Sequence, residues 1–220
     1  MTRIGLTTII LATSLFVAAC EDPAKGKPKA QVEQSITAPS PSVTAAPPVP
    51  IPTETVPFGP GESKVAFVGS KVTGSHSGGF AQFDGKLEIG PSPDKSRVSL
   101  TITMASLTSD AEKLTGHLKS PDFFDVEKYP TATFATTTIA SGGTSGATHT
   151  LTGKLNLHGV EKTISFPATI RVTADRIEAD SEFALNRKDF GITYPGMKDD
   201  LIRDEVVLKL TIRAPRTPNR

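Results

Sequence analysis

The stretch "LTGKLNLHGVEKTISFPATIRV", residues 151–172, alternates between two kinds of side chain. Leu151, Gly153, Leu155 and Leu157 share one phase; Thr152, Lys154, Asn156 and His158 share the other. The same period runs through Ile164, Phe166, Ala168, Ile170 and Val172. Successive side chains of a strand point to opposite faces, so period two with one polar face marks a half-buried antiparallel strand. Working outward, the pattern recurs in Ile177, Ala179, Ser181, Phe183 and Leu185, and in Val206, Leu208, Leu210 and Ile212. Upstream it appears in Phe83, Gly85, Leu87 and Ile89, and in Val98, Leu100, Ile102 and Met104. Adding the stretches near 63–72 and 131–140 gives roughly eight strands, separated by Gly, Asp and Pro signals. An all-β antiparallel chain of this size closes as a barrel or stacks as a sandwich.

One segment departs from the alternation. Ser109-Asp110-Ala111-Glu112 has the spacing of a capping box, and Ala111, Leu114 and Leu118 fall at helical intervals. The spacing predicts a helix over 110–119, weakened by Gly116. Ser120-Pro121 then starts a second short turn, with Ser as its cap and Pro at its first position. On such a turn Phe123 and Phe124 diverge by about 100°. One ring is expected to plug or line the interior, and the other to clamp the helix onto the sheet. Tyr129-Pro130 forces an extended entry to the strand at 131.

The N-terminus has a different character. An Arg, then an apolar run from Ile9 to Ala19, ends in Val17-Ala18-Ala19-Cys20, the layout of a signal peptide over 1–19. That tail resembles the lipobox of bacterial lipoproteins, in which the cysteine is acylated and becomes the new N-terminus. Cys20 is the only cysteine, so the chain forms no internal disulfide and Cys20 is the expected lipidation site. Residues 21–60 hold ten of the chain's 18 prolines and a single aromatic, Phe58. Such composition buries too little apolar surface to offset ordering entropy, so 20–60 reads as a disordered tether. Fully extended as polyproline it would reach on the order of 100 Å. The rest, 61–215, suits one domain of about 155 residues with a real core. With 24 basic and 23 acidic residues and no basic block, nothing marks a nucleic-acid surface.

Catalytic and metal-binding signals are sparse. His76, His117, His149 and His158 are scattered without a close pair. An enzyme would need convergent polar residues inside a pocket, such as His76 with a carboxylate. Asp199, Asp200, Asp204 and Glu205 lack the spacing of a calcium loop and read as a solvated turn. No nucleophile elbow or phosphate loop occurs, and "GGTSG" at 142–146 reads as a flexible hairpin loop. No catalytic residue, metal site or cofactor is assigned. The polar cluster singled out is Asn186-Arg187-Lys188-Asp189. Arg187 or Lys188 could pair with a ligand phosphate, and the alternative is an Arg–Asp contact that fixes a turn. Gly85 and Gly153 lie mid-strand, where a bend, a bulge or room for a close approach is the usual reason.

Other residues carry a family resemblance. "HLKSPDFFDVEKYPTATF" (117–134) closely resembles the signature of the YceI-like domain, also described as a polyisoprenoid- or lipid-binding domain. "SKVAFVGSKVTGSHSGGFAQFDGKLEI" (63–89), "LTGKLNLHGVEKTISFPATI" (151–170) and "LNRKDFGI" (185–192) are similar to it in the expected order. The resemblance implies a lipocalin-like eight-stranded antiparallel β-barrel with a helical excursion near 110–125. It also implies an isoprenoid or other long-chain lipid along the barrel axis. Many members are free periplasmic proteins, whereas this chain is expected to be lipid-anchored in the bacterial envelope, at the periplasmic face of a membrane. On position and type, Phe80, Phe83, Phe123, Phe124, Phe134, Phe166 and Phe183 are expected near the cavity, with plain core packing as the alternative for each. An interaction module with a solidly packed barrel is the competing reading of the whole.

Overall fold

The computed structural model describes residues 21–33 and 54–216. In chain order the strands are β1 (Gln31–Val32), β2 (Glu54–Phe58), β3 (Lys64–Lys71), β4 (Gly74–Phe80), β5 (Phe83–Ile89), β6 (Arg97–Thr103) and β7 (Leu107–Ser109). The helix α1 (Glu112–Lys119) follows, then β8 (Thr131–Ser141), β9 (His149–Leu157), β10 (Val160–Val172) and β11 (Arg176–Asn186). A short pair, β12 (Gly196–Met197) and β13 (Asp200–Leu201), precedes β14 (Glu205–Pro215). The eight stretches read from alternation are β3, β5, β6, β8, β9, β10, β11 and β14.

Antiparallel pairing runs β6–β8–β9–β10–β11–β14–β3–β4. β4 then continues through Ala81 and Gln82 into β5, and β5 pairs with β6, so the path returns to its start. β7 likewise prolongs β6 and pairs with β4. Counting each bent strand once leaves eight around a curled sheet, the lipocalin-like arrangement. The two bends are held together: Thr103 N–H donates to the Gln82 carbonyl (3.0 Å) and Ala81 N–H to that of Ser106 (3.2 Å). β4, "GSHSGGF", carries no alternation and reads as a loop; it is a strand because partners on both edges supply its ladder.

Two slits in the wall are filled by segments upstream of residue 61. Between β5 and β14 lies β2, paired with β5 and bringing Val56 and Phe58 into the core. The second slit opens between β10 and β11, whose ladder spans only Thr169↔Asp180 to Val172↔Ile177. Pro167 lies just beyond it, and a proline has no N–H to donate. There Ala30 N–H donates to the Ala184 carbonyl and Ala184 N–H to that of Pro28, both at 2.8 Å. Gln31 and Val32 pair with Ser165 and Ile164 of β10. Ala30 and Val32 face the core, while Ala24 covers Val68, Ala184 and Val207 on the outer wall. The expected tether over 20–60 is therefore corrected at 21–33, a strap laid on the barrel, and at 54–58, a strand. The composition argument counted side chains and left out backbone bonds to open strand edges. Residues 34–53, the expected signal peptide over 1–19 and the expected lipidation site Cys20 lie outside the described residues.

The helical excursion is also adjusted. α1 begins at Glu112, and Ser109 belongs to β7 rather than to a capping box. Ser109 Oγ donates to the Ala111 carbonyl (2.9 Å), and Ser109 N–H donates to Thr115 Oγ1 (2.9 Å). Asp110 is drawn away by β4, where its carboxylate accepts from Ser77 N–H at 2.8 Å. The second turn does form at Ser120, whose carbonyl accepts from Phe123 N–H (3.1 Å) and whose Oγ donates to the His117 carbonyl (2.8 Å).

Candidate functional site

Inward-phase side chains enclose two apolar chambers. The larger, about 430 Å³, lies beneath α1 and is walled by Phe67, Phe80, Leu118, Phe123, Phe124, Leu155, Leu185, Tyr194 and Leu208, among others. The smaller, about 310 Å³, is walled by Phe58, Leu87, Phe134, Ile139, Leu151, Phe166, Ile177 and Ile212, among others. Both fall within the roughly 300–1,000 Å³ typical of small-molecule sites.

The expected phenylalanines sort by chamber. Phe80, Phe123 and Phe124 line the larger, and Phe134 and Phe166 the smaller. Phe83 and Phe183 line neither and are core, at 2% and 1% exposed. Phe183 stacks on Phe166 with centroids 4.3 Å apart and planes 12° off parallel, and Phe134 packs on Phe166 at 5.4 Å. These rings fill the middle of the barrel. Both members of the 123–124 pair face the larger chamber. Phe123 also does the clamping, with its ring 5.0 Å from His117 on α1 and 5.1 Å from Tyr194. The mid-strand glycines leave room for rings: a Cβ at Gly85 would meet Phe58 at 2.0 Å, and one at Gly153 would meet Phe134 at 2.7 Å.

Polar groups gather at the mouth of the larger chamber. Arg187 borders it, yet its guanidinium donates to the carbonyls of Ile192 (2.7 Å), Arg203 (3.1 Å) and Ile202 (3.3 Å). Asp204 lies 3.6 Å from Arg187 and 2.9 Å from Lys188. Burial pushes the Arg187 pKa down against the pull of Asp204. The arginine pins the 187–204 excursion, each of its three nitrogens donating to a carbonyl. His76 Nδ1 lies 2.8 Å from Asp110 Oδ1. Asp110 sits below the usual carboxylate range, first through Ser77 N–H and then through His76. The pair ties β4 to the start of α1. Asp200 is lowered chiefly by Lys71, which hydrogen-bonds it, and also accepts from Thr73. Among the described residues no group of three or more His, Cys, Asp or Glu is arranged to hold a metal ion. Sequence reasoning did not reach Ile192, Tyr194 and Ile202, because the 187–204 stretch has no period.

A family model for the YceI-like domain matches residues 58–214, which take in every barrel strand except β1 and most of β2. The chain belongs to the YceI-like family. A UPF0312 protein of Pseudomonas putida strain F1 is 36% identical over 148 residues, covering 61% of this chain and 75% of the relative. A UPF0312 protein of Pseudomonas fluorescens SBW25 is 30% identical over 139 residues, covering 60% and 71%. Among solved structures, Burkholderia cenocepacia BcnA superposes with a TM-score of 0.60 at 25% identity, covering 69% of this chain and 96% of that one. A polyisoprenoid binding domain from Saccharophagus degradans gives a TM-score of 0.58 at 17% identity, covering 74% and 100%. At that identity the likeness is one of fold. The YceI-like barrel here therefore shares its architecture with proteins of several bacterial genera.

Proposed function

We propose that this chain is a bacterial envelope lipoprotein whose barrel binds a long apolar lipid, an isoprenoid or a molecule of similar shape, for carriage or sequestration. The observation that carries the reading is the pair of apolar chambers along one barrel. Moving a hydrocarbon chain from water into such a lining is favoured by about 25 cal/mol per Å² of apolar area. The protein needs no covalent chemistry for this. The Saccharophagus degradans domain, described as polyisoprenoid binding, has the same fold and supports the ligand class. The two chambers weigh against a barrel packed solid. A chain longer than the larger chamber reaches the Phe166–Phe183 stack and has to displace it.

The anchor in this reading is Cys20, supported by its place after Val17-Ala18-Ala19 and by its being the sole cysteine. Acyl chains contribute about 0.8 kcal/mol per buried CH₂, so two or more hold a protein stably on a bilayer. Mass spectrometry of organic extracts from the purified full chain tests the ligand. A co-purified isoprenoid or long-chain lipid is expected. A barrel that is reproducibly empty and also takes up no added isoprenoid overturns the reading.

A further inference from the structure

We infer that the mouth of the larger chamber faces the bilayer directly, with the tips carrying Val72 and Met197–Leu201 as its contact surface. The inference rests on the lipidated-Cys20 reading above. Four large hydrophobic side chains are exposed among the described residues: Val72, Val172, Met197 and Leu201. Three of them meet at one place. Val72, in the turn between β3 and β4, donates its N–H to the Leu201 carbonyl at 3.2 Å, and Leu201 and Met197 flank the β12–β13 hairpin. Lys71, Met197 and Asp200 form part of the rim of the larger chamber, so the apolar tips stand beside its opening.

The occupant is a lipid surface because the chain's anchor leaves the fold at this same rim. Asp22 Oδ2 lies 3.3 Å from Arg203, two residues beyond Leu201. From there the strap passes Ala24 on Val207 and reaches Lys27 on Glu182, then turns back toward the rim, with Ala30 on Ala184 and Val32 opposite Ile164. Consecutive Cα atoms are about 3.8 Å apart, so an acyl group on Cys20 departs from the rim rather than from the end of a long tether. Four basic groups at this end are paired, Lys71 with Asp200, Arg203 with Asp22, Lys188 with Asp204 and Lys29 with Glu205, while the exposed Lys198 and Asp199 add one charge of each sign at the hairpin tip. Three apolar side chains lead the contact, and the tip's opposite charges at Lys198 and Asp199 leave it no net attraction to anionic lipid. A barrel held this way opens its chamber onto the acyl region, so a lipid enters without crossing water.

The test uses the full acylated chain reconstituted in phosphatidylcholine vesicles. Val72→Cys, Met197→Cys, Leu201→Cys and Val172→Cys each carry an environment-sensitive fluorophore, the Cys20 thiol being blocked by its acyl group. The expected result is blue-shifted emission at 72, 197 and 201, with quenching by brominated lipid several-fold stronger than at 172, the opposite end. Equal quenching at all four sites, or stronger quenching at 172, overturns the orientation while leaving the anchor standing. The mass of the N-terminal peptide is read in parallel. A free Cys20 thiol there removes the anchor reading and this inference with it.

Discussion

At the smaller chamber the wall is mostly strand, completed by the short turn over residues 90–96. Phe58, Leu87, Phe134, Leu151, Phe166 and Ile177 reach inward from six different strands whose ladders fix their positions. At the larger chamber, Leu118, Phe123, Phe124, Ile192, Tyr194 and Ile202 come from the helix, the turn after it and the excursion before β14. Few ladders hold these segments; single side chains do. Arg187 gathers three carbonyls, Asp200 joins one hairpin tip to another, and Asp110 joins β4 to the approach to α1. One end of the barrel is thus fixed cooperatively by backbone, and the other by a handful of replaceable polar contacts. The second end is the one able to move when a ligand enters.

The largest expected effect comes where the two ends meet. Phe183→Ala removes a fully buried ring from the stack between the chambers and should cost about 3–5 kcal/mol in urea unfolding. It should also shift the bound lipid toward longer chains, read by mass spectrometry of extracts; an unchanged chain-length profile would mean the rings do not limit it. Next, Arg187→Met leaves the carbonyls of Ile192, Ile202 and Arg203 without their donor, a loss on the order of 3 kcal/mol. Hydrogen exchange should rise at 192–204 and stay unchanged in β9 and β10. Stability equal to wild type would instead free the arginine for a ligand phosphate.

These outcomes bear on how much the sequence could tell. Alternation located eight strands because each presents one face to the interior, and that pattern lies in the chain itself. Ser120-Pro121 placed Phe123 and Phe124 on a short turn after the helix. What alternation could not locate was any element held by backbone alone, such as Ser/Gly-rich β4, or by one arginine, such as 187–204. The strap did leave a trace. Val68, Ala184 and Val207 are apolar on the outward phase, where β3, β11 and β14 should be polar, and they mark the track that Ala24 covers.

Smaller effects sharpen the contrast at the strand-built end. Gly85→Ala drives a methyl into the Phe58 ring and should cost about 1–3 kcal/mol by thermal or urea denaturation, with α1 unaffected. The smallest concerns the strap. Lys27 lies 3.0 Å from Glu182, whose carboxyl is held below its usual range first by Lys27 and then by Lys209. A depressed carboxylate stabilises above its unfolded value, about 4.3, and the contribution is lost as pH falls through the lower folded value. Lys27→Ala should therefore weaken protection of the Ala30 and Glu33 amides at pH 7 by no more than about 1 kcal/mol. The mutant and wild type should converge below that folded value.

The strap also sets an order of assembly. Gln31 pairs with Ser165 and Pro28 with Ala184, so the strap finds partners that are made much later in the chain. Contacts between distant parts of a chain form slowly, since a long loop must close before they are rewarded. The slit between β10 and β11 stays open until that closure. Protease resistance of the Lys25–Lys29 stretch would accordingly serve as a timer, appearing only when the barrel is complete.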